Sequence, residues 1–369
     1  LRTIKFGQSS RNIFYCTKIS VIVALKQDKI AMTYQFVPIL FVAFAIALGM
    51  TPVSRQIAMR LGVIDRPKKR NITKAPTPMM GGLAIVIAYG MSLILFMPTP
   101  LYSTWAWIAV GTALLAITGL IDDRYDLSWR VKMPVMIVAA LLMPMAGINI
   151  NLFQTPLIDY PITIIWLVAL TNAVNFMDNM DGLSAGLSAI AGAFFMLLGL
   201  SQNLALVTCM GAAVLGACLG FLTFNFNPAS TFMGDMGALA LGYNLGILGI
   251  LIEFDTKPIG ITWMIPILVL ALPIFDINLV VFTRLSEGRS PVDAGKDHTS
   301  HRLLSAGFSA RMTLLILYSA CLFFGSLGIL ISTYPDLTAW LIGVGGLGLL
   351  GISFILMTWF RRRFQLSKT

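Results

Sequence analysis

Eleven apolar runs, joined by short loops, constrain this chain more than any other feature. They lie near residues 34–57, 79–97, 104–121, 132–147, 161–177, 182–200, 204–222, 236–252, 260–283, 312–333 and 338–360. A hydrocarbon core about 30 Å thick is crossed by roughly 20 residues of helix, and several of these runs reach that length. Only 11% of the residues are charged and 57% are hydrophobic. Soluble domains carry roughly 25% charged residues, so the solvent that suits this surface is lipid. The expected fold class is all-α: a polytopic membrane protein with about 11 transmembrane helices.

The loops sort by charge. Segments 59–78, 122–132 and 284–311 and the tail after residue 360 hold eighteen Lys and Arg, whereas the alternate loops hold only Lys257. Cytoplasmic loops are the ones enriched in Lys and Arg, so the basic side is expected to be cytoplasmic. Eleven spans then place the C-terminus inside and the start of the first span outside, in the cell membrane. The net charge of +10 is accounted for by this placement, which argues against nucleic acid as a partner.

Residues 1–31 break the pattern, with six basic residues and an apolar stretch, 19–25, too short to span. The expectation is a disordered or non-native extension ahead of Met32, followed by one integral-membrane domain over 32–369. Cys16, Cys209, Cys218 and Cys321 lack metal-ligand spacing and read as free thiols.

The carboxylates are as one-sided as the lysines. Of sixteen Asp and Glu, Asp159, Glu253, Asp255 and Asp336 fall on the opposite side, and Asp28 lies in the extension. The others sit at or near the basic face. Asp122, Asp123, Asp178, Asp181, Asp235 and Asp276 mark span ends. So many acids at helix ends repel one another unless cations compensate them, and ionisable groups at membrane depth are functional candidates.

Five stretches carry the candidate residues, all of these acids but Asp276 among them. GLIDDRYDL (119–127) puts Asp122 beside Asp123, a pair suited to a hard cation or to a base tuned by its neighbour. In NAVNFMDNMDG (172–182) the steps of three place Asn172, Asn175 and Asp178 on one helical face. That oxygen-rich stripe suits a phosphate, Mg²⁺ or a nucleobase edge, or else a polar seam between helices. NFNPASTFMGDMG (225–237) brings Asp235 to a helix N-terminus between two glycines, a natural diphosphate site, with Phe232 free to stack on a base or to fill the core. DHTSHRL (297–303) holds the chain's two histidines, His298 and His301. No Cys or third His stands near enough for a zinc site, so contact with anionic phosphate, helped by Arg302, is the better reading. DRPKKRNITKAPTPMMGG (65–82) either binds anionic headgroups or delivers Lys74 and Thr77 to a diphosphate.

Taken in order on one membrane face, these stretches resemble the polyprenyl-phosphate N-acetylhexosamine-1-phosphate transferases of glycosyltransferase family 4. The separated pair His298 and His301, followed by Arg302 and Leu303, is more similar to the WecA/TagO-like branch, which uses UDP-GlcNAc or a related UDP-N-acetylhexosamine. The branch that makes UDP-MurNAc-pentapeptide-derived lipid typically has consecutive histidines there and is the alternative.

The resemblance implies a ten- or eleven-helix enzyme, often a homodimer, that needs Mg²⁺ (Mn²⁺ as the substitute). It implies transfer of N-acetylhexosamine 1-phosphate from a UDP-sugar to undecaprenyl phosphate. UMP is released, and the lipid diphosphate sugar starts a cell-wall or surface polysaccharide. By position, Asp235 matches the metal ligand, with Asn175 and Asp178 close by. Asp122 matches the carboxylate that deprotonates or positions the lipid phosphate, with Asp123 beside it. Asp181 and Phe232 match the uracil-reading and stacking positions, and Asn225, His298 and His301 lie near the diphosphate or sugar. Lys74, Thr77, Asn172 and Arg302 complete the expected substrate contacts. A secondary transporter is the rival from another class, but its coupling carboxylates would sit near the midplane in paired repeats.

Overall fold

The structure is a computed structural model that describes residues 35–65, 76–252, 257–291 and 295–365. The segment 1–31 and Lys74 lie outside the described residues.

Every apolar run coincides with helix. In chain order the elements are α1 (Phe36–Leu61), β1 (Ile64–Asp65), β2 (Thr77–Pro78), α2 (Gly81–Phe96), α3 (Tyr102–Tyr125), α4 (Trp129–Met145) and α5 (Pro156–Met177). Next come α6 (Leu183–Gln202), α7 (Ala205–Asn225) and α8 (Gly234–Leu251). Then follow α9 (Ile259–Thr262), α10 (Met264–Val269), α11 (Ala271–Ser286), α12 (Thr299–Ser305), α13 (Ala310–Thr333) and α14 (Asp336–Gln365). Helix is what lipid allows, because every backbone N–H and C=O must be satisfied within the chain.

The expected count of about eleven spans is refined. Among the described residues, eight helices are long and apolar enough to cross a membrane. A ninth candidate is the run 260–283, read from sequence as one span. It is broken between α10 and α11 by a bend of 79°. Pro273 lacks the N–H that would continue the ladder to Val269, which explains a break at this point. The remaining two runs form α2 and α4, of 16 and 17 residues. Length and composition therefore do not establish eleven full crossings.

Helix α8 is the centre of the bundle. All but three of its 18 residues are buried, and it packs against α2, α3 and α5. Small residues permit the close approach, as is usual where lipid gives helices no hydrophobic incentive to associate. A Cβ on Gly82 would collide with the backbone nitrogen of Gly237, and one on Gly119 with that of Met236. The Met79–Gly82 stretch is also tied to the start of α8. Phe232 N–H donates to the Pro78 carbonyl at 2.9 Å, Gly81 N–H to the Phe232 carbonyl at 2.9 Å, and Gly82 N–H to the Met233 carbonyl at 2.8 Å. The C-terminal ends of α3 and α5 thus meet the N-terminal end of α8.

Candidate active site

At that meeting point the sequence supplies four carboxylates, two of which share one ammonium. Asp122 ends α3 and is buried. Its Oδ1 accepts the Leu127 N–H at 2.6 Å, and its Oδ2 lies 2.8 Å from the Lys132 ammonium. The same ammonium, from the first turn of α4, donates to Asp235 Oδ2 at 3.0 Å. Asp235 also lies beside Asp122 and beside Asn175 of α5. Two carboxyls in contact need a shared proton or a cation between them, and here Lys132 bridges them.

Asp123 is differently employed. Its carboxylate accepts the N–H groups of Asp235 at 2.8 Å and Met236 at 3.4 Å. It therefore caps the N-terminus of α8, where orphan N–H groups and the helix dipole favour an anion. Gly234 makes this possible: its φ is 74°, and any side chain there would strike the Asp123 carboxylate. The Gly234 N–H is directed to Asp178, at the C-cap of α5. Burial pushes the Asp178 carboxyl up to about 7, with the Asp235 charge adding to the shift and the Gly234 N–H opposing it.

The last basic loop forms a second cluster next to the first. His298 Nδ1 sits 2.8 Å from Asp276 Oδ2, whose Oδ1 accepts the Thr299 N–H at 2.7 Å. The His298 ring stands edge-on to Phe176, 6.0 Å between centroids, and to His301 at 5.9 Å. Ser300 Oγ donates to Asn179 Oδ1 at 2.6 Å, joining α12 to the turn that carries Asp178. Burial and the neighbouring His298 charge push the His301 imidazole down to about 4, so it is neutral near pH 7.

The other expected site residues make the following contacts within the fold. Asp181 is buried, and its Oδ2 accepts from Asn227 Nδ2 and the Ala229 N–H, both at 3.0 Å. Asn225 is buried between the Gly182 N–H and the Thr231 carbonyl, both at 3.0 Å. Asn172 Nδ2 donates to the Val168 carbonyl at 2.8 Å. Thr77 is buried in the β1–β2 pair, opposite Asp65. Phe232 is half-buried beside Met79. Arg302, expected to help contact phosphate, links three elements. Its guanidinium donates to the Asp297 carbonyl at 2.9 Å, Met357 carbonyl at 2.8 Å and Thr283 Oγ1 at 2.7 Å.

Lys132, Asn179 and Phe176 carry no site role in the sequence pattern, and Asp276 stands there only as a span-end candidate. Lys132 read as one more inside-facing lysine; its signal was its place at the mouth of the span after the Asp122–Asp123 pair. Asp276 read as a span end; its signal was an acid just past Pro273 in an apolar run.

The donor set suits a hard divalent cation. Among the described residues no three acidic, His or Cys side chains form a closed metal cage. Mg²⁺ seldom needs one, since it binds through one or two carboxylates, waters and substrate phosphate. Asp122, Asp235 and Asn175 supply that kind of oxygen set, and the ammonium drawn between the two carboxylates marks the place as attractive to a cation.

Residues 105–253 match glycosyl transferase family 4. A probable undecaprenyl-phosphate N-acetylglucosaminyl 1-phosphate transferase of Bacillus subtilis is 34% identical over 290 residues, covering 75% of this chain and 79% of that protein. The chain belongs to glycosyl transferase family 4. A decaprenyl-phosphate N-acetylglucosaminephosphotransferase of Mycolicibacterium smegmatis is 33% identical over 301 residues, 72% of this chain and 74% of that one. The undecaprenyl-phosphate alpha-N-acetylglucosaminyl 1-phosphate transferase of Escherichia coli K12 is 25% identical over 303 residues, 75% of this chain and 78% of that one. The family match runs from α3 to the end of α8, so it contains the Asp122–Lys132–Asp235 cluster and leaves out the His298–Asp276 cluster.

Proposed function

We propose that this chain transfers GlcNAc 1-phosphate from UDP-GlcNAc to a polyprenyl phosphate such as undecaprenyl phosphate, with Mg²⁺ as cofactor. The observation that carries this reading is the convergence of Asp122, Lys132, Asn175 and Asp235 at one end of the bundle. The relatives' names supply the substrates, and the basic loops support a cytoplasmic position for this face.

Phosphoryl transfer requires charge neutralisation and in-line positioning more than covalent help from the protein. Asp235, Asn175 and Asp122 would hold Mg²⁺, which when bound neutralises the diphosphate and polarises its phosphorus. Lys132 offers an ammonium to the acceptor phosphate. An oxygen of that phosphate attacks the sugar-bearing phosphorus of the UDP-sugar. The new P–O bond forms as the bond to the UMP oxygen breaks, and UMP departs with that electron pair. His298, held by Asp276, is placed to donate a hydrogen bond to the donor phosphates or sugar, while neutral His301 contributes polarity without charge.

Direct attack is preferred over a phospho-aspartyl intermediate. Asp122 is engaged by Lys132 and the Leu127 N–H, and Asp123 by two α8 N–H groups. Carboxylates so engaged are weak nucleophiles, and an ionised lipid phosphate needs little activation.

The test is incubation of purified protein with polyprenyl phosphate and UDP-GlcNAc labelled in the sugar phosphate, with and without Mg²⁺. Label should pass to the lipid phase only when the metal and the lipid phosphate are both present, and UMP should appear in equal amount. Turnover with UDP-MurNAc-pentapeptide alone would assign the other branch. No lipid product from either donor would overturn the reading.

A further inference from the structure

A second concavity lies at the far end of α8, away from the carboxylates, and the proposed chemistry makes no use of it. Its volume is about 420 Å³, within the roughly 300–1,000 Å³ typical of small-molecule sites. One wall is the 149–152 segment with Ile162 and Trp166 of α5; the floor is Gly249 and Pro266; the other wall is the broken span at Ile259, Trp263 and Ile267. The lining is mainly apolar, yet Asn149, Asn151 and Lys257 stand in it.

The arrangement is amphiphilic along its depth. Ile259 and Trp263 are exposed on the broken span, while Pro266 and Ile252 are buried. Lys257 is the exception in an otherwise uncharged wall. Its side chain is only 8% exposed, with the ammonium carried to the edge by an aliphatic stem laid along apolar surface. That ammonium donates to the Tyr334 carbonyl at 2.6 Å. Asp336, 56% exposed, pairs with the ammonium at 3.8 Å, longer than a hydrogen bond. An ammonium has three donors, so the described contacts leave capacity for an anionic oxygen. Trp and Lys at the ends of spans mark the depth of lipid headgroups.

We propose that this cavity binds one phospholipid of the leaflet opposite the active site, with an acyl chain between Trp166 and Trp263 and its phosphate on Lys257. The lipid fills the space left where α9, α10 and α11 depart from a straight span. A free phosphate ion shares the headgroup chemistry but not the apolar wall.

The test uses the full chain, delipidated in detergent and then offered phosphatidylglycerol or phosphatidylcholine, with bound lipid counted by native mass spectrometry. The wild type should hold one tightly bound phosphatidylglycerol per chain. Ile162→Trp and, independently, Ile267→Trp fill the cavity and should release it, with the thermal midpoint of each variant checking that it folds. Lys257→Gln should lower the preference for phosphatidylglycerol over phosphatidylcholine by about 5-fold, from roughly 1 kcal/mol per lysine at an anionic headgroup. Inorganic phosphate should not displace the lipid. Full lipid retention in both filled variants, displacement by inorganic phosphate, or a change of oligomeric state in place of lipid loss would each overturn the proposal.

Discussion

At the residue scale, what separates the adjacent acids Asp122 and Asp123 is the direction in which α3 ends. One carboxylate meets the Lys132 ammonium and Asp235, and the other meets the first N–H groups of α8. The first is therefore placed for chemistry and the second for position. Asp122→Asn should lower kcat/KM about 100-fold or more, the usual scale for losing a group that handles protons or charge at the reacting centre. Asp123→Asn keeps an oxygen that can accept the same N–H bonds. It should retain far more activity, whereas Asp123→Ala removes the cap and should cost about 1 kcal/mol of stability. Parallel assays and melting curves of the three variants check this.

His301 gives a separate residue-scale expectation. Its folded pKa of about 4 lies below the ordinary value of about 6.5, so the fold binds this proton more weakly than the unfolded chain does. The associated stability is complete above about pH 6.5 and is lost as pH falls through about 4. The chain has two histidines, so their ring resonances are easily assigned by His301→Gln. The His301 signal should stay constant from pH 8 to pH 5 and move only below that.

The positions of these residues were legible in the sequence, since spacing at span ends marked every carboxylate of the cluster. Their partners were not. Whether an acid caps a helix or faces a lysine depends on which helix end lies across from it, and that is a three-dimensional fact. Lys132 was hidden for the same reason: charge patterning assigns it a side of the membrane and no partner.

At the element scale, the apolar runs became helices as expected, and the surprise was the broken span. Hydropathy averages over a window that spans α10 and the apolar start of α11, so a 79° change of direction leaves little trace beyond Pro273. The break has a consequence for Arg302. Helix α12 has only seven residues and cannot hold itself in place. It is tied down by one guanidinium bonded to Asp297, Thr283 and Met357, which reaches α11 and α14 at once. The sequence pattern suggests contact with phosphate, and the contacts within the fold add a bracing role. Lysine carries the same charge without the planar fork. Arg302→Lys should thus lower the thermal midpoint by several degrees and reduce kcat through misplaced His298. KM for the nucleotide sugar should change little. A large rise in KM with an unchanged midpoint would favour the phosphate-contact reading.

At the scale of the whole molecule, both asymmetries of the chain point the same way. Basic loops and carboxylate span ends share one face, and the described cavity with Lys257 lies at the other. A nucleotide sugar is made in the cytosol and a polyprenyl phosphate keeps its chain in the bilayer, so the two meet only at the cytoplasmic interface. Orientation is thus a test of function as well as of topology. The described native cysteines Cys209, Cys218 and Cys321 are buried, and in a Cys16→Ser background they should leave a low labelling baseline. Ser128, exposed between α3 and α4, and Ser201, exposed near the end of α6, lie at opposite ends of the bundle. In intact cells a membrane-impermeant maleimide should label Ser201→Cys, and should label Ser128→Cys only after the membrane is opened. The reverse pattern would put the carboxylate cluster on the side where no nucleotide sugar is supplied, and the transferase reading would then fail with the orientation.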